Sequence, residues 1–242
     1  VKTKTIFLYW DNKPKTKTPE YINLCRKTIF KNCGNNIQVL LINKNNLCDY
    51  LENIPENLFK LKEIAHIADY VRVALLVKYG GIWLDSDCIL LKDMNPIFNL
   101  LKKYEYVGYG WKENQPSLGF MASVRNCKFL QDHLNIITEK INSSKTFNFN
   151  WSGLGYDSLW KIAPNYKDKM YLFSHHYFSP IHWENCIEDF LGKDFQKITK
   201  NCFGVMLFNK IFSQSLLLNS NSQDIMQGCN LLSHLFRVAL QK

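Results

Sequence analysis

The stretch Tyr79-Gly80-Gly81-Ile82-Trp83-Leu84-Asp85-Ser86-Asp87-Cys88 decides the fold. A long apolar helical run starting near Glu63 precedes it, and two glycines end that run. A short apolar strand follows, with two aspartates one residue apart at its end. Alternate residues of a strand point the same way, so the spacing predicts that both carboxylates face one point. Converging carboxylates at a strand end suit a hard cation. Mg²⁺ or Mn²⁺ prefers oxygen ligands and keeps positions open for phosphate oxygens. A bare D-x-D is common in turns, so its surroundings must decide what it means.

The preceding helix reads Ile64, Ala65, Ile67, Ala68, Val71, Val73, Ala74, Leu75, Leu76, Val77. These positions cover nearly the whole circumference, which predicts burial on most sides. The same helix carries Asp69 and Arg72, neighbours at i, i+3. Buried charges are costly unless paired, and a pair is often no more stable than an apolar replacement. Two readings follow: a plain buried salt bridge, or a pair at a pocket wall where a polar ligand completes the hydrogen bonding. Closeness in sequence to Asp85 and Asp87 favours the second.

Ala68-Asp69-Tyr70-x-Arg72, then Leu76-x-x-Tyr79-Gly80-Gly81-Ile82-Trp83-Leu84-Asp85-Ser86-Asp87, resembles the signature of the DXD-containing sugar transferases. These include capsular-polysaccharide synthesis enzymes, initiating α-mannosyltransferases, α-galactosyl- and α-N-acetylglucosaminyltransferases and glucosylating toxins. The resemblance implies an α/β chain of GT-A type, with a mixed, mostly parallel central sheet flanked by helices. It also implies a nucleotide-diphosphate sugar donor, a glycan or glycoconjugate acceptor, Mn²⁺ or Mg²⁺, and retention of anomeric configuration. Under it, Asp85 and Asp87 hold the cation, Asp69 bonds the donor sugar's hydroxyls, and Arg72 orients Asp69. Trp83 stands where the family usually has tyrosine, beside the donor. The expected organisation is one domain over 1–242, with 1–125 the nucleotide-sugar and metal part and 126–242 the acceptor part and C-terminal helix.

Composition sets bounds. The 242 residues suit one domain, and an apolar fraction of 46% suffices for a core. The net charge of +9 fits attraction to a diphosphate, an anionic lipid-linked acceptor, a membrane surface or nucleic acid. No apolar run is long enough to span a bilayer, and no signal peptide is visible. The eight cysteines are scattered without a paired spacing, which predicts reduced thiols and a cytoplasmic setting, peripheral to a membrane at most.

Along the chain, Thr5 to Trp10 reads as a buried first strand. Ligands of open α/β sheets bind beyond strand carboxyl ends, where Trp10 could stack on a base or simply pack in the core. Thr18-Pro19-Glu20 starts a helix to about Lys31. Asn36 to Ile42 reads as a core strand and Asn45 to Leu58 as short helices, a parallel doubly wound beginning. Strands are expected over Tyr104–Trp111 and Ser117–Ser123, with an amphipathic helix from Lys128 to Ile141. Gly119 stands where the family often has asparagine. Trp151-Ser152-Gly153-Leu154-Gly155-Tyr156-Asp157 opens a helix, and Asp157 serves either as its N-cap or as an acceptor-hydroxyl partner.

His175, His176 and His182 lack zinc spacing and predict a hydrogen-bonded polar loop. Asn201 to Lys210 reads as a strand ending in Asn209 and Lys210. In the family a late segment like this one reaches the diphosphate and metal, and Lys210 could neutralise phosphate charge or be merely solvated. Met206 replaces the usual histidine, and a thioether is no hard-metal ligand. Ser222 to Gln241 is expected as one terminal helix, its basic end (Arg237, Lys242) leaving membrane-surface contact open.

Three other activities compete. A glycoside hydrolase needs carboxylates about 5–10 Å apart on separate elements, unlike Asp85 and Asp87. A phosphohydrolase needs more acidic and histidine ligands near the pair. A nucleic-acid binder needs a clustered basic, aromatic face, whereas these lysines are dispersed. A degenerate transferase that binds donor without turnover, or a metal-dependent phosphohydrolase, remains as the alternative.

Overall fold

The computed structural model describes residues 3–241. In chain order, β1 (Lys4–Tyr9), α1 (Glu20–Asn32), β2 (Ile37–Ile42) and α2 (Leu47–Tyr50) come first. Next are α3 (Ile64–Tyr79), β3 (Gly81–Leu84), β4 (Cys88–Leu90) and α4 (Asn95–Leu100). β5 (Tyr106–Gly110), β6 (Pro116–Ser123), α5 (Lys128–Ser143), α6 (Tyr156–Ile162) and β7 (Met170–Ser174) follow. Then come α7 (Cys186–Leu191), β8 (Gly204–Met206), α8 (Asn209–Phe212), α9 (Ser222–Gln227) and α10 (Leu231–Gln241).

The larger sheet is mixed, in the order β2-β1-β3-β6-β5-β7. β3 runs parallel to β1, with Phe7 opposite Trp83, and antiparallel to β6, with Trp83 opposite Met121. β5 pairs antiparallel with β6 and parallel with β7. A second sheet pairs β4 with β8, Cys88 opposite Met206.

The chain divides into two compact units. One comprises residues 3–11, Leu40–Leu84 and Ile97–Ser174. Its core joins Phe7, Trp83, Tyr106 and Met121 of the sheet to Val71, Leu75 and Leu76 of α3 and Phe129, Leu130 and Ile137 of α5. The other comprises Asn12–Val39, Asp85–Pro96 and residues 175–241. There α1 packs on β4, α9 and α10, burying Tyr21, Ile22, Cys25 and Ile29.

α3 is buried on most sides, as its all-round apolar sequence predicts. Its end depends on two glycines. Gly80 has φ +69 and Gly81 φ +105, both in the left-handed region where side chains are strained. Space forbids side chains as well. A Cβ on Gly80 would sit 2.5 Å from the Arg125 backbone N, and one on Gly81 2.6 Å from the Thr5 carbonyl O. The chain thus reverses from helix to central strand by pressing bare backbone against the ends of β1 and β6.

Several expectations are corrected. β2 buries only Ile42, because it is an edge strand rather than a core one. α1 begins at Glu20 with Pro19 at the cap position and no side-chain cap; the Thr18 hydroxyl donates instead to Asn12 Oδ1 at 3.1 Å. The last strand stops at Met206, and Asn209 and Lys210 begin the short helix α8. The terminal helix is two helices, broken at Gly228 to Asn230. Asn230 Oδ1 accepts the Ser233 N–H at 2.9 Å and starts α10. Arg237 donates to the Met226 and Gly228 carbonyls at 2.5 and 2.7 Å, tying α10 to the end of α9. Lys242 lies outside the described residues. Among those described, no helix is long and apolar enough to cross a membrane. The cysteines are free thiols.

Gly81→Ala should lower stability by about 2–5 kcal/mol, combining left-handed strain with a backbone clash. Urea unfolding reads this directly, and a loss below about 1 kcal/mol would contradict the close approach.

Candidate functional site

The residues singled out by sequence fall into two groups, one in each compact unit. The first is built on α3. Asp69 and Arg72 are 7% and 5% exposed. An Arg72 Nη lies 3.4 Å from Asp69 Oδ1. Arg72 also donates from Nε to the Ala68 carbonyl at 3.1 Å and from Nη to the Leu118 carbonyl of β6 at 2.5 Å. Its guanidinium carbon lies 5.1 Å from the centre of the Trp83 ring, a cation–π contact. Trp83 is 1% exposed, so its ring serves as a platform inside the unit. The fork of donors and the flat ring together fix Arg72 in one orientation, which in turn fixes the Asp69 carboxylate.

His133 of α5 is buried nearby, its Nδ1 3.3 Å from Ser158 Oγ. Burial, with the positive charges of Lys140 and Arg72, pushes its pKa down to about 3. It is therefore neutral at physiological pH. Trp10 is half-buried just past β1, its N–H bonded to the Ile42 carbonyl at 3.0 Å. Asp157 is exposed in the first turn of α6, where Gly155 rather than Asp157 holds the cap position.

The second group is the acidic turn. Asp85, Ser86 and Asp87 lie in a turn closed by Cys88 N–H donating to the Asp85 carbonyl at 3.1 Å, and not on a strand. The alternation argument for facing carboxylates therefore does not apply. What orients Asp87 is the segment after β8. Leu207 N–H donates to the Asp87 carbonyl at 3.1 Å, and Asn209 N–H donates to Asp87 Oδ2 at 2.7 Å. Between them Phe208 adopts φ 55, ψ 61, a left-handed conformation that a bulky residue rarely takes. The Asn209 side chain is held in turn, its Oδ1 accepting from the Tyr21 hydroxyl at 2.7 Å.

Burial, and then the negative charge of Asp87, push the Tyr21 hydroxyl and the Cys25 and Cys88 thiols up. Met206, 4% exposed, packs in β8. Lys210 is exposed in α8. Among the described residues, no group of three or more His, Cys, Asp or Glu side chains assembles that could hold a metal ion. The histidine loop is polar, as expected, with His182 Nδ1 accepting the Glu184 N–H at 3.4 Å.

A family model described as capsular polysaccharide synthesis protein matches residues 1–148. The chain belongs to this family. Its matched part contains α3, both glycines and both aspartates of the acidic turn. No curated protein matches the chain.

Solved structures share the fold of this chain. The apo-form glycosyltransferase GlyE of Streptococcus pneumoniae TIGR4 aligns at TM-score 0.51 and 12% identity, covering 99% of this chain. The chain spans 61% of that GlyE structure. A glycosyltransferase involved in glycosylation of the major capsid of PBCV-1 aligns at TM-score 0.50 and 13% identity, covering 87% of this chain and 97% of the other. The fold is thus α/β of the GT-A glycosyltransferase type.

Sequence reasoning missed Tyr21, whose role rests on a contact 188 residues away along the chain. It also missed the Leu118 carbonyl and the Asn209 N–H, since backbone groups carry no sequence signal.

Arg72→Ala in this family member should cost about 3–5 kcal/mol, because the buried Asp69 carboxylate loses the guanidinium that compensates it. Denaturant unfolding checks this, and a cost under about 1 kcal/mol would show the charge to be compensated elsewhere.

Proposed function

We propose that the chain is a metal-dependent, retaining glycosyltransferase. It moves a hexosyl or N-acetylhexosaminyl group from a nucleotide-diphosphate donor to a glycan or glycoconjugate acceptor. The observation that carries this reading is the acidic turn itself. It lies inside the family match, and a backbone N–H grips one of its carboxylates at 2.7 Å. The GT-A fold supports the reading.

The donor set fits a hard divalent cation. Asp85 and Asp87 offer carboxylate oxygens within one tight turn, while Met206 is packed away as an apolar residue. Mg²⁺ and Mn²⁺ bind through few carboxylates, water and substrate phosphates. When bound, the cation supplies charge stabilisation to the diphosphate as it leaves.

The remaining roles belong to the chain. Asp69 accepts hydrogen bonds from donor-sugar hydroxyls, and Arg72 holds it in register. Trp83 supports Arg72 from below, its contribution to the donor passing through that contact. Trp10 stacks on the base. Lys210 offsets diphosphate charge, and Asn209 keeps Asp87 in place. Asp157, exposed at the start of α6, accepts from acceptor hydroxyls. For retention, the acceptor hydroxyl attacks from the leaving group's face, and a departing phosphate oxygen takes its proton.

A thermal-shift panel of nucleotide sugars with Mn²⁺, repeated with chelator, tests this reading and names the base and sugar. Stabilisation by one donor, lost on chelation, is expected. Asp85→Asn and Asp87→Asn should each lower transfer ~100-fold or more by weakening the hold on the cation that would offset the diphosphate's charge. The Asn side chain at 87 still accepts the Asn209 N–H, so melting temperature should move by only a few degrees. Unchanged transfer in either variant would reject the site. Donor binding without transfer by the parent chain would establish the degenerate alternative.

A further inference from the structure

We infer that Gly155 is a positioning residue for Asp69. The inference rests on the proposed function only for what Asp69 does to a donor. Gly155 occupies the cap position of α6 with φ −91, a conformation any residue adopts. Backbone freedom therefore does not explain a glycine there, but space does. A Cβ at Gly155 would lie 2.8 Å from Asp69 Oδ2, 2.9 Å from Asp69 Cγ and 2.6 Å from Leu118 Cδ1. The bare backbone of the loop is thus pressed against the carboxylate. Arg72 holds Oδ1, and Gly155 faces Oδ2. The carboxylate is gripped by an ion pair on one oxygen and bounded by a main chain at the other.

Neither wall can retreat cheaply. The loop is tied by Lys140 Nζ donating to the Gly153 carbonyl at 2.6 Å and by Asp157 N–H donating to the Ser152 carbonyl at 3.0 Å. α6 is tied to the start of β6 by Trp160 Nε1 donating to the Pro116 carbonyl at 3.0 Å. The carbonyl of Leu118 itself receives an Arg72 N–H. A methyl group at position 155 must therefore push Asp69 by about 0.5 Å as well as displace the Leu118 side chain, because both contacts fall under 3.0 Å and interiors are close-packed. Misplacing a substrate-positioning group by about 1 Å can cost on the order of 100-fold, so a shift of half that should cost about tenfold.

The test uses Gly155→Ala, Asp69→Ala and the double variant, read by thermal unfolding and by donor titration. Gly155→Ala should lower Tm by several degrees in the parent chain. The same change should cost less than half as much in the Asp69→Ala background, where the obstructing carboxylate is gone. Donor Kd should weaken about tenfold in Gly155→Ala and be lost in Asp69→Ala. Additive Tm shifts would overturn the contact. Parent-like donor affinity in Gly155→Ala, beside a loss in Asp69→Ala, would overturn the positioning role while leaving the proposed function intact. A parent chain that binds no nucleotide sugar would instead overturn the functional reading and with it the donor role, and the Tm coupling would still report on the contact.

Discussion

Two glycines without room for a side chain set the geometry on which the rest depends. α3 must end and reverse directly into β3, the strand hydrogen-bonded to β1 on one side and β6 on the other. At Gly80 and Gly81 the main chain approaches Arg125 N and Thr5 O more closely than any Cβ tolerates. The close approach fixes the register of β3, and hence the point at which the chain leaves Leu84 and enters the acidic turn. Paired glycines are poor helix formers, but low propensity alone would not aim the chain into β3. Termination comes from backbone conformation and from packing.

The electrostatics follow a common plan in both units: a carboxylate is kept in a sheltered place and held by donors that cannot wander. Asp69 meets a guanidinium clamped by two carbonyls and a tryptophan face. Asp87 meets a backbone N–H delivered by a residue in left-handed conformation. Such strain at a bulky residue persists only where surrounding structure over-determines it. A buried ion pair gives little net stability over apolar packing.

Much of this was legible in sequence, for identifiable reasons. The all-round apolar pattern of α3, the paired glycines and the short apolar run after them left one interpretation of the backbone there, a buried helix turning into a strand. Strand alternation misled at Asp85 and Asp87, because a turn begins one residue after Leu84 and the ordering contact comes from Asn209, over a hundred residues away. β2 looked like core by composition and proved to be an edge. The C-terminal stripe continued through Gly228 to Asn230 in hydrophobicity while the backbone did not, since an asparagine cap competes with helix continuation. Gly155 resembled an ordinary loop glycine; its reason lies in a carboxylate remote in sequence.

The claim that a hard cation is gripped by the acidic turn is tested most directly by crystals grown with Mn²⁺ and a nucleoside diphosphate, with diffraction recorded at the manganese absorption edge. The account predicts an anomalous peak about 2.1 Å from carboxylate oxygens of Asp85 or Asp87, with diphosphate oxygens among its other ligands. Nucleotide bound with manganese centred on other residues would contradict it.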